Sequence, residues 1–143
     1  MRFWDASAVL SLIANQHGAQ AVKIAHRDPS VMLWWGTGVE CASGLCRLRR
    51  EGRLSDSGLR DMMSELDSML SSADEIEPSD AVRTAACRLL CVHPLRAADA
   101  LQLAAATVWA GDPSTDHEFV CLDQRLRQAA ASEGFRVLPE MTG

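Results

Sequence analysis

Four carboxylates in this 143-residue chain stand at one kind of place. Asp5 follows the aromatic pair Phe3-Trp4, and Asp123 follows the apolar run Phe119-Val120-Cys121-Leu122. Glu40 comes just after the bend Gly36-Thr37-Gly38, and Asp99 opens an alanine-rich stretch. Taken singly, each is an ordinary helix-start residue. Asp5 and Asp123 read as N-caps, Glu40 as the partner of Thr37 in a capping box, and Asp99 as a charge that suits a helix N-terminus. Gathered in one cleft, they would repel one another and raise one another's pKa. A hard divalent cation relieves that repulsion, and carboxylates with water and a phosphate oxygen are the ligand set of Mg2+ or Mn2+. Such an ion turns water into a nucleophile near neutral pH and stabilises in-line displacement at phosphorus. Asp5, Glu40, Asp99 and Asp123 are therefore the candidate catalytic and metal-ligating residues. Ser7 and Thr37 sit beside two of them and could orient the acids or bond metal-held waters; they read equally well as turn residues bonded to backbone.

The elements needed to bring these acids together are legible in the hydrophobic pattern. Arg2-Phe3-Trp4 reads as a short strand, and Ala6 onward as a helix with Val9, Leu12 and Ile13 on one stripe. A second short helix is expected around Ala19 to His26, ended by Asp28-Pro29. The unbroken run Val31 to Trp35 suits a strand buried on both faces, with Trp34 and Trp35 alternating sides. Val39, Ala42, Leu45 and Cys46 then mark a helix. Leu59, Met62, Met63, Leu66, Met69 and Leu70 follow the amphipathic rule without a miss. Glu75-Ile76-Glu77 is a short extended piece, and Val82, Ala85, Ala86 and Leu89 form another helix. The stretch from Arg96 to Ala106 is apolar nearly all round, as an interior helix should be. Gly111 to Ser114 reads as a loop, Phe119 to Leu122 as a strand, Leu126, Ala129 and Ala130 as a last helix, and Phe135 to Leu138 as a last strand. Strands alternating with helices predict an α/β fold: a parallel sheet with helices on both faces. Helix starts that follow parallel strands meet at the carboxyl edge of the sheet, which is where all four acids stand.

Composition fits this picture. Apolar residues make up 48% and charged residues 23%, enough for one folded domain over residues 1–143. The formal charge is 14 − 19 = −5, so contact with nucleic acid has to rely on a local patch or on metal ions. The five cysteines sit mostly in apolar helical patterns, which predicts buried free thiols in a reducing compartment. No Cys-x-x-Cys occurs, which argues against zinc. Ala6 to Ala14 imitates a signal-peptide core, but Asp5 interrupts its approach and no basic cluster precedes it. No stretch is long enough to span a membrane. The expectation is a soluble cytoplasmic protein.

The pieces Trp4-Asp5-Ala6-Ser7, Thr37-Gly38-Val39-Glu40 with Arg47 seven residues on, Arg96 to Ala104, and Cys121-Leu122-Asp123-Gln124-Arg125-Leu126 together resemble a PIN domain, and more narrowly a VapC-type toxin of a bacterial toxin–antitoxin pair. The resemblance covers essentially the whole chain, with Asp99-Ala100-Leu101-Gln102-Leu103-Ala104-Ala105 its most specific piece. It implies a PIN-like three-layer α/β/α fold with a central, mostly parallel sheet of four to five strands. It implies an Mg2+- or Mn2+-dependent endoribonuclease that forms homodimers. It also implies neutralisation by a cognate antitoxin whose C-terminal segment fills the acidic groove. Asp5, Glu40 and Asp99 match the core acids and Asp123 the fourth, more variable one. Cys121 departs from the Thr or Ser often found two residues before that last acid, which leaves Asp116 as a substitute to weigh.

Arg47 and Arg96 are candidate contacts to RNA phosphate, whereas Arg49, Arg50 and Arg53 read as a solvated helix face. Two other functions with acids at strand ends fit less well. A phospho-acceptor receiver domain needs a lysine at the end of a late strand, and Lys23, the only lysine, comes far too early. A phosphate-loop NTPase needs Gly-Lys-Ser/Thr, which is absent. A PIN-like module that binds RNA or peptide without cutting is the serious alternative.

Overall fold

The structure is a computed structural model that describes residues 1–14, 22–23, 27–28, 30–111 and 116–140. Its strands are β1 (Arg2–Trp4), β2 (Val31–Trp34), β3 (Asp74–Ile76), β4 (Glu118–Val120) and β5 (Arg136–Leu138). Its described helices are α1 (Ala6–Ala14), α2 (Thr37–Arg50), α3 (Asp56–Ser72), α4 (Asp80–Val92), α5 (Ala97–Ala110) and α6 (Gln124–Ser132). The strands form one sheet in the order β3-β2-β1-β4-β5, parallel throughout. From β1 the chain builds outward through β2 to β3, then returns to place β4 and β5 on the other side. The reversal lies between β1 and β4, the point at which an open parallel sheet leaves a crevice at its carboxyl edge.

Strand residues alternate between two cores. Phe3, Trp34 and Phe119 face α4, α5 and α6, while Trp4, Leu33 and Val120 face α1, α2 and α3. This period of two makes three layers from strands only three or four residues long. Phe3 stacks on Phe119 across β1 and β4, with ring centroids 5.5 Å apart and planes 7° from parallel. On the same face, Ala100, Ala104, Ala105 and Ala106 are wholly buried. Their small side chains let α5 lie close under the sheet, which sets where Asp99 emerges. The Met62–Leu70 stripe of α3 packs against the opposite core, with Leu66 buried.

Several expectations change. The run from Val31 ends as a strand at Trp34; Trp35 lies in the following turn and is 53% exposed. Trp34 is buried and Trp35 meets it edge-on. Trp35 still donates its amide to the Ile76 carbonyl at the end of β3, and the chain turns away from the sheet there, at Trp35-Gly36. Among the cysteines, Cys41 and Cys121 are buried, but Cys87 and Cys91 are exposed on α4, and all five are free. The Val82–Leu89 stripe puts those two on the helix's outer side. The expected helix over Ala19 to His26 and the expected loop over Gly111 to Ser114 fall largely outside the described residues. No helix among the described residues is long and apolar enough to cross a membrane.

Gly36 is the joint between β2 and the helix that carries Glu40. A Cβ there would lie 2.5 Å from the Trp34 indole nitrogen, and the indole is packed in the core and cannot swing away. Gly36→Ala should therefore destabilise the protein by about 1–3 kcal/mol, the usual penalty for overpacking. Urea unfolding of the two proteins measures this. An unchanged midpoint would show that the turn has slack.

Candidate active site

Each acid is delivered by the start of a helix. Asp5 ends β1 and caps α1: its Oδ1 accepts from the Ala8 amide at 3.0 Å. Asp123 caps α6, with Oδ1 accepting from the Leu126 amide at 3.0 Å. The capping roles expected of these two residues are thus realised alongside any chemistry. The Thr37–Glu40 capping box is not formed. Gly36 takes the N-cap position with no side-chain cap bond, so Thr37 lies inside the helix and is free to bond elsewhere. Its hydroxyl is buried against Gln102, whose Nε2 donates to Thr37 Oγ1 at 3.0 Å and also to Glu40 Oε2. Asp99 stands in the first turn of α5, one helical turn before Gln102 on the same face.

These side chains meet. One cleft of about 180 Å3 is lined by Asp5, Ser7, Glu40, Arg47, Gln102, Asp99 and Asp123, together with Ala6, Leu10 and Gly44. All four predicted acids are in it, as are Ser7 and Arg47. Thr37 does not line it and acts from behind through Gln102. Arg96 lies in an adjoining cavity that also reaches Glu40, Asp99 and Asp123. Asp116, the alternative fourth acid, lies before β4, beside Glu118 and Arg136 at the opposite end of that strand, and does not line the cleft. Arg49 and Arg53 make only exposed pairs, with Asp56 at 3.8 Å and Glu51 at 3.9 Å, as a solvated face would.

Burial dominates the electrostatics. Asp5 is 3% exposed, and its removal from water lifts the carboxyl to a pKa of about 6. The donors around it, the Ala8 amide, Ser7 Oγ and Cys121 Sγ, pull the other way without winning. Glu40 rises to about 7, first through desolvation and then through repulsion by Asp5 and Asp99, against the Gln102 hydrogen bond. Asp99 is raised by partial burial and by Asp123, with Arg96 opposing. Desolvation leads at all three; repulsion between the acids, expected as the main cause, adds to it at Glu40 and Asp99 but not at Asp5. Mutual crowding is present but is not the leading effect.

Two residues whose roles were not foreseen organise the cleft. Gln102 is a fully buried amide on an otherwise apolar helix face; a glutamine three residues after Asp99 was the signal. Cys121 donates its thiol to Asp5 Oδ2 at 3.2 Å. Burial and the Asp5 charge push that thiol well above its ordinary pKa, so it remains a protonated donor. It thus supplies the hydrogen bond that a hydroxyl would have given. Ser7 Oγ reaches both Asp5 oxygens at 2.8 Å and accepts from the Leu122 amide at 3.0 Å, which ties the ends of β1 and β4 together.

The donor set suits a hard divalent cation, being carboxylate oxygens with the nearby thiol protonated. No group of three His, Cys, Asp or Glu side chains among the described residues converges closely enough to form a cage. Mg2+ does not need one, since it is commonly held by one or two carboxylates, several waters and a substrate phosphate. On that basis the cleft fits such an ion held directly by one or two of Asp5, Glu40, Asp99 and Asp123 and through water by the others.

The arrangement is a PIN-like α/β fold with an acidic cleft at its switch point. The chain is structurally similar to VapC20 of Mycobacterium tuberculosis, a toxin that cleaves the sarcin–ricin loop (TM-score 0.66, 19% identity, 95% of this chain and 97% of that one). It is similar to a chain of a toxin–antitoxin complex from Klebsiella pneumoniae (TM-score 0.62, 15% identity, 87% and 88%). It is also similar to PAE2754 from Pyrobaculum aerophilum (TM-score 0.61, 20% identity, 96% and 88%). At these identities the likeness establishes the fold. No family model and no curated protein sequence matches the chain.

The raised carboxyl pKa values carry a pH signature. A proton held more tightly by the folded than the unfolded chain stabilises fully below the unfolded pKa, near 4. That stabilisation is lost as pH rises through about 6 for Asp5 and about 7 for Glu40. For buried Asp5 the loss is on the order of 3 kcal/mol. The thermal midpoint of the metal-free protein should fall across this window, and Mn2+ should restore it at neutral pH. A midpoint that is flat with pH and indifferent to Mn2+ would contradict the assignment.

Proposed function

We propose that the chain, acting as a single unit over residues 1–143, is a divalent-metal-dependent endoribonuclease toxin of the VapC type, held inactive by a cognate antitoxin. The observation that carries this reading is the convergence of Asp5, Glu40, Asp99 and Asp123 on one cleft, with Asp5 and Glu40 left short of full ionisation by burial. The fold shared with a sarcin–ricin-loop-cleaving toxin and with a chain of a toxin–antitoxin complex supports the biological setting.

Asp5, Glu40 and Asp99 would hold Mg2+ or Mn2+, with Asp123 completing the set from the rim. When bound, the ion supplies an acidified water and positive charge against the charge developing at phosphorus. The chain does the rest. Ser7, the Ala8 amide and Cys121 fix Asp5 so that its oxygens need no reorganisation. Gln102, itself held by Thr37, fixes Glu40 through Oε2. Glu40 Oε1 has no hydrogen-bond partner among the described residues, so it would be free to hold the ion or one of its waters. Arg47, at the cleft wall, and Arg96, in the adjoining cavity, hold RNA phosphate. A homodimer and a cytoplasmic location complete the reading, and a basic side chain of the antitoxin would replace the cation among the acids.

That no three ligands converge among the described residues favours one competitor, a PIN-like module that binds RNA or peptide without cutting. An Mn2+ titration followed by incubation with RNA separates the two. The nuclease binds Mn2+ and cuts, and the module does neither. Asp5→Asn and Asp99→Asn should each lower cleavage by on the order of 100-fold or more and relieve growth arrest on expression. Asp5→Asn should also stabilise the metal-free protein at neutral pH, because asparagine keeps the cap and removes the buried charge. Full activity in either variant would end the metal mechanism.

Cys121 allows a finer check. Cys121→Ala removes a donor to Asp5 and should raise its pKa further, weakening Mn2+ binding most below neutral pH. Cys121→Ser restores a donor and should recover the affinity. Equal Mn2+ affinity in all three proteins at pH of about 6, near the Asp5 pKa, would show that the thiol has no part in positioning Asp5.

A further inference from the structure

We propose that Arg125, with Arg96 and Arg47, forms an anion subsite that holds the phosphodiester backbone of the RNA beside the acidic cleft. The proposal rests on the ribonuclease reading and adds a residue and a place to it. A cavity of about 680 Å3 adjoins the cleft, and Arg47, Arg96 and Arg125 all line it. Glu40, Arg47, Asp99 and Asp123 belong to both spaces, so they form the shared wall.

Three observations bear on these arginines. They come from three elements far apart in the chain: the body of α2, the N-cap of α5 and the first turn of α6. All three are exposed, and none forms an ion pair among the described residues of a chain with net charge −5. Arg2, Arg49, Arg53, Arg83, Arg88 and Arg136 each pair with an acid, but exposed Arg50 and Arg60 do not, so the shared cavity rather than the missing pair sets these three apart. Lastly, Arg96 and Arg125 stand at helix N-termini, where the macrodipole disfavours a cation. Arg96 makes no side-chain cap bond in return. Helix stability therefore does not explain either position, whereas an anion does. Two positive helix ends and three guanidinium forks facing one cavity make a field complementary to phosphate.

The two spaces differ in charge balance. The inner recess has Asp5, Glu40, Asp99 and Asp123 against Arg47, while the outer cavity sets Arg47, Arg96 and Arg125 against Glu40, Asp99 and Asp123. A strand seated on Arg96 and Arg125 would bring the next phosphate to Glu40 and Asp99. Binding energy from phosphates that do not react then offsets the repulsion that the acids and the chain's net charge exert on a polyanion.

The test measures binding of a short mixed-sequence single-stranded RNA to the full chain in EDTA, as a function of KCl. Three phosphate contacts predict a slope of log K against log salt near −2, at about 0.7 per contact for a single strand. Arg125→Ala and Arg96→Ala should each make the slope shallower by about 0.7, while Arg60→Ala, an exposed arginine on α3, should leave it unchanged. An unchanged slope in Arg125→Ala, an equal loss in Arg60→Ala, or no RNA binding by the parent protein would overturn the subsite. Cleavage with Mn2+ is scored separately on the same proteins. Cleavage by the parent with an unmoved slope in Arg125→Ala removes the subsite and keeps the nuclease. A moved slope without cleavage keeps the subsite and removes the nuclease.

Discussion

Everything at the cleft depends on one carboxylate being taken out of water. Asp5 ends the central strand, flanked by β2 and β4, and sits under the starts of the helices that follow them. An isolated buried carboxylate is costly, and proteins answer that cost with hydrogen bonds, with a proton or with a cation. Here hydrogen bonds come from Ser7, the Ala8 amide and Cys121, and desolvation still exceeds them. Asp5 is therefore poised between holding a proton and holding an ion. Glu40 is poised in the same way with fewer donors and a nearby like charge, and Asp99, half-buried, to a lesser degree. The leading effect is solvent exclusion by the packed helix starts. Charge repulsion adds to it because the same packing brings the acids together.

The supporting residues are shared between elements. Ser7 belongs to α1 yet bonds the segment after β4. Gln102 belongs to α5 yet bonds two residues of α2. Arg127 in α6 holds the Cys121 carbonyl and the Pro139 carbonyl, each at 2.7 Å, so the segment carrying Cys121 and Asp123 is clamped to the end of β5. The Ser7 and Gln102 bonds close long loops of chain at the carboxyl edge, and the Arg127 bonds fix its last turn locally. Geometry at the cleft is thus a property of the whole sheet, and a fault at a distant joint such as Gly36 reaches it through α2.

Much of this was legible before the coordinates. Phe3-Trp4 followed by Asp5, and Phe119-Val120 followed by Cys121, Leu122 and Asp123, are apolar runs too short for helices, and a parallel sheet sends their ends to one edge. That logic placed all four acids correctly. The pattern could not tell a cap from a ligand, because Asp5 and Asp123 serve as caps in any case. It also misread Thr37: the capping-box spacing is satisfied by the sequence, but Gly36 takes the cap position and releases the hydroxyl to Gln102. Gln102, Cys121 and Arg125 lay within recognised motifs, yet their roles depend on partners far away in sequence, which periodicity does not encode. Trp35 escaped for the opposite reason, since an apolar run shows composition and not the residue at which the chain turns.

The open coordination of the cleft follows from the same constraint. A closed cage of acids would need several carboxylates within a few ångströms, and in a desolvated recess that cluster would take up protons before it took up metal. The acids here are spread from buried Asp5 to exposed Asp123, and Asp5 and Glu40 ionise at pH of about 6 and about 7. On the proposed nuclease reading, the remaining ligands of a cation would come from water and a substrate phosphate. Arg47, Arg96 and Arg125 line the adjoining cavity next to Glu40, Asp99 and Asp123, so the positive charge nearest the cleft lies at its outer side, where on the proposed reading it would meet a polyanion.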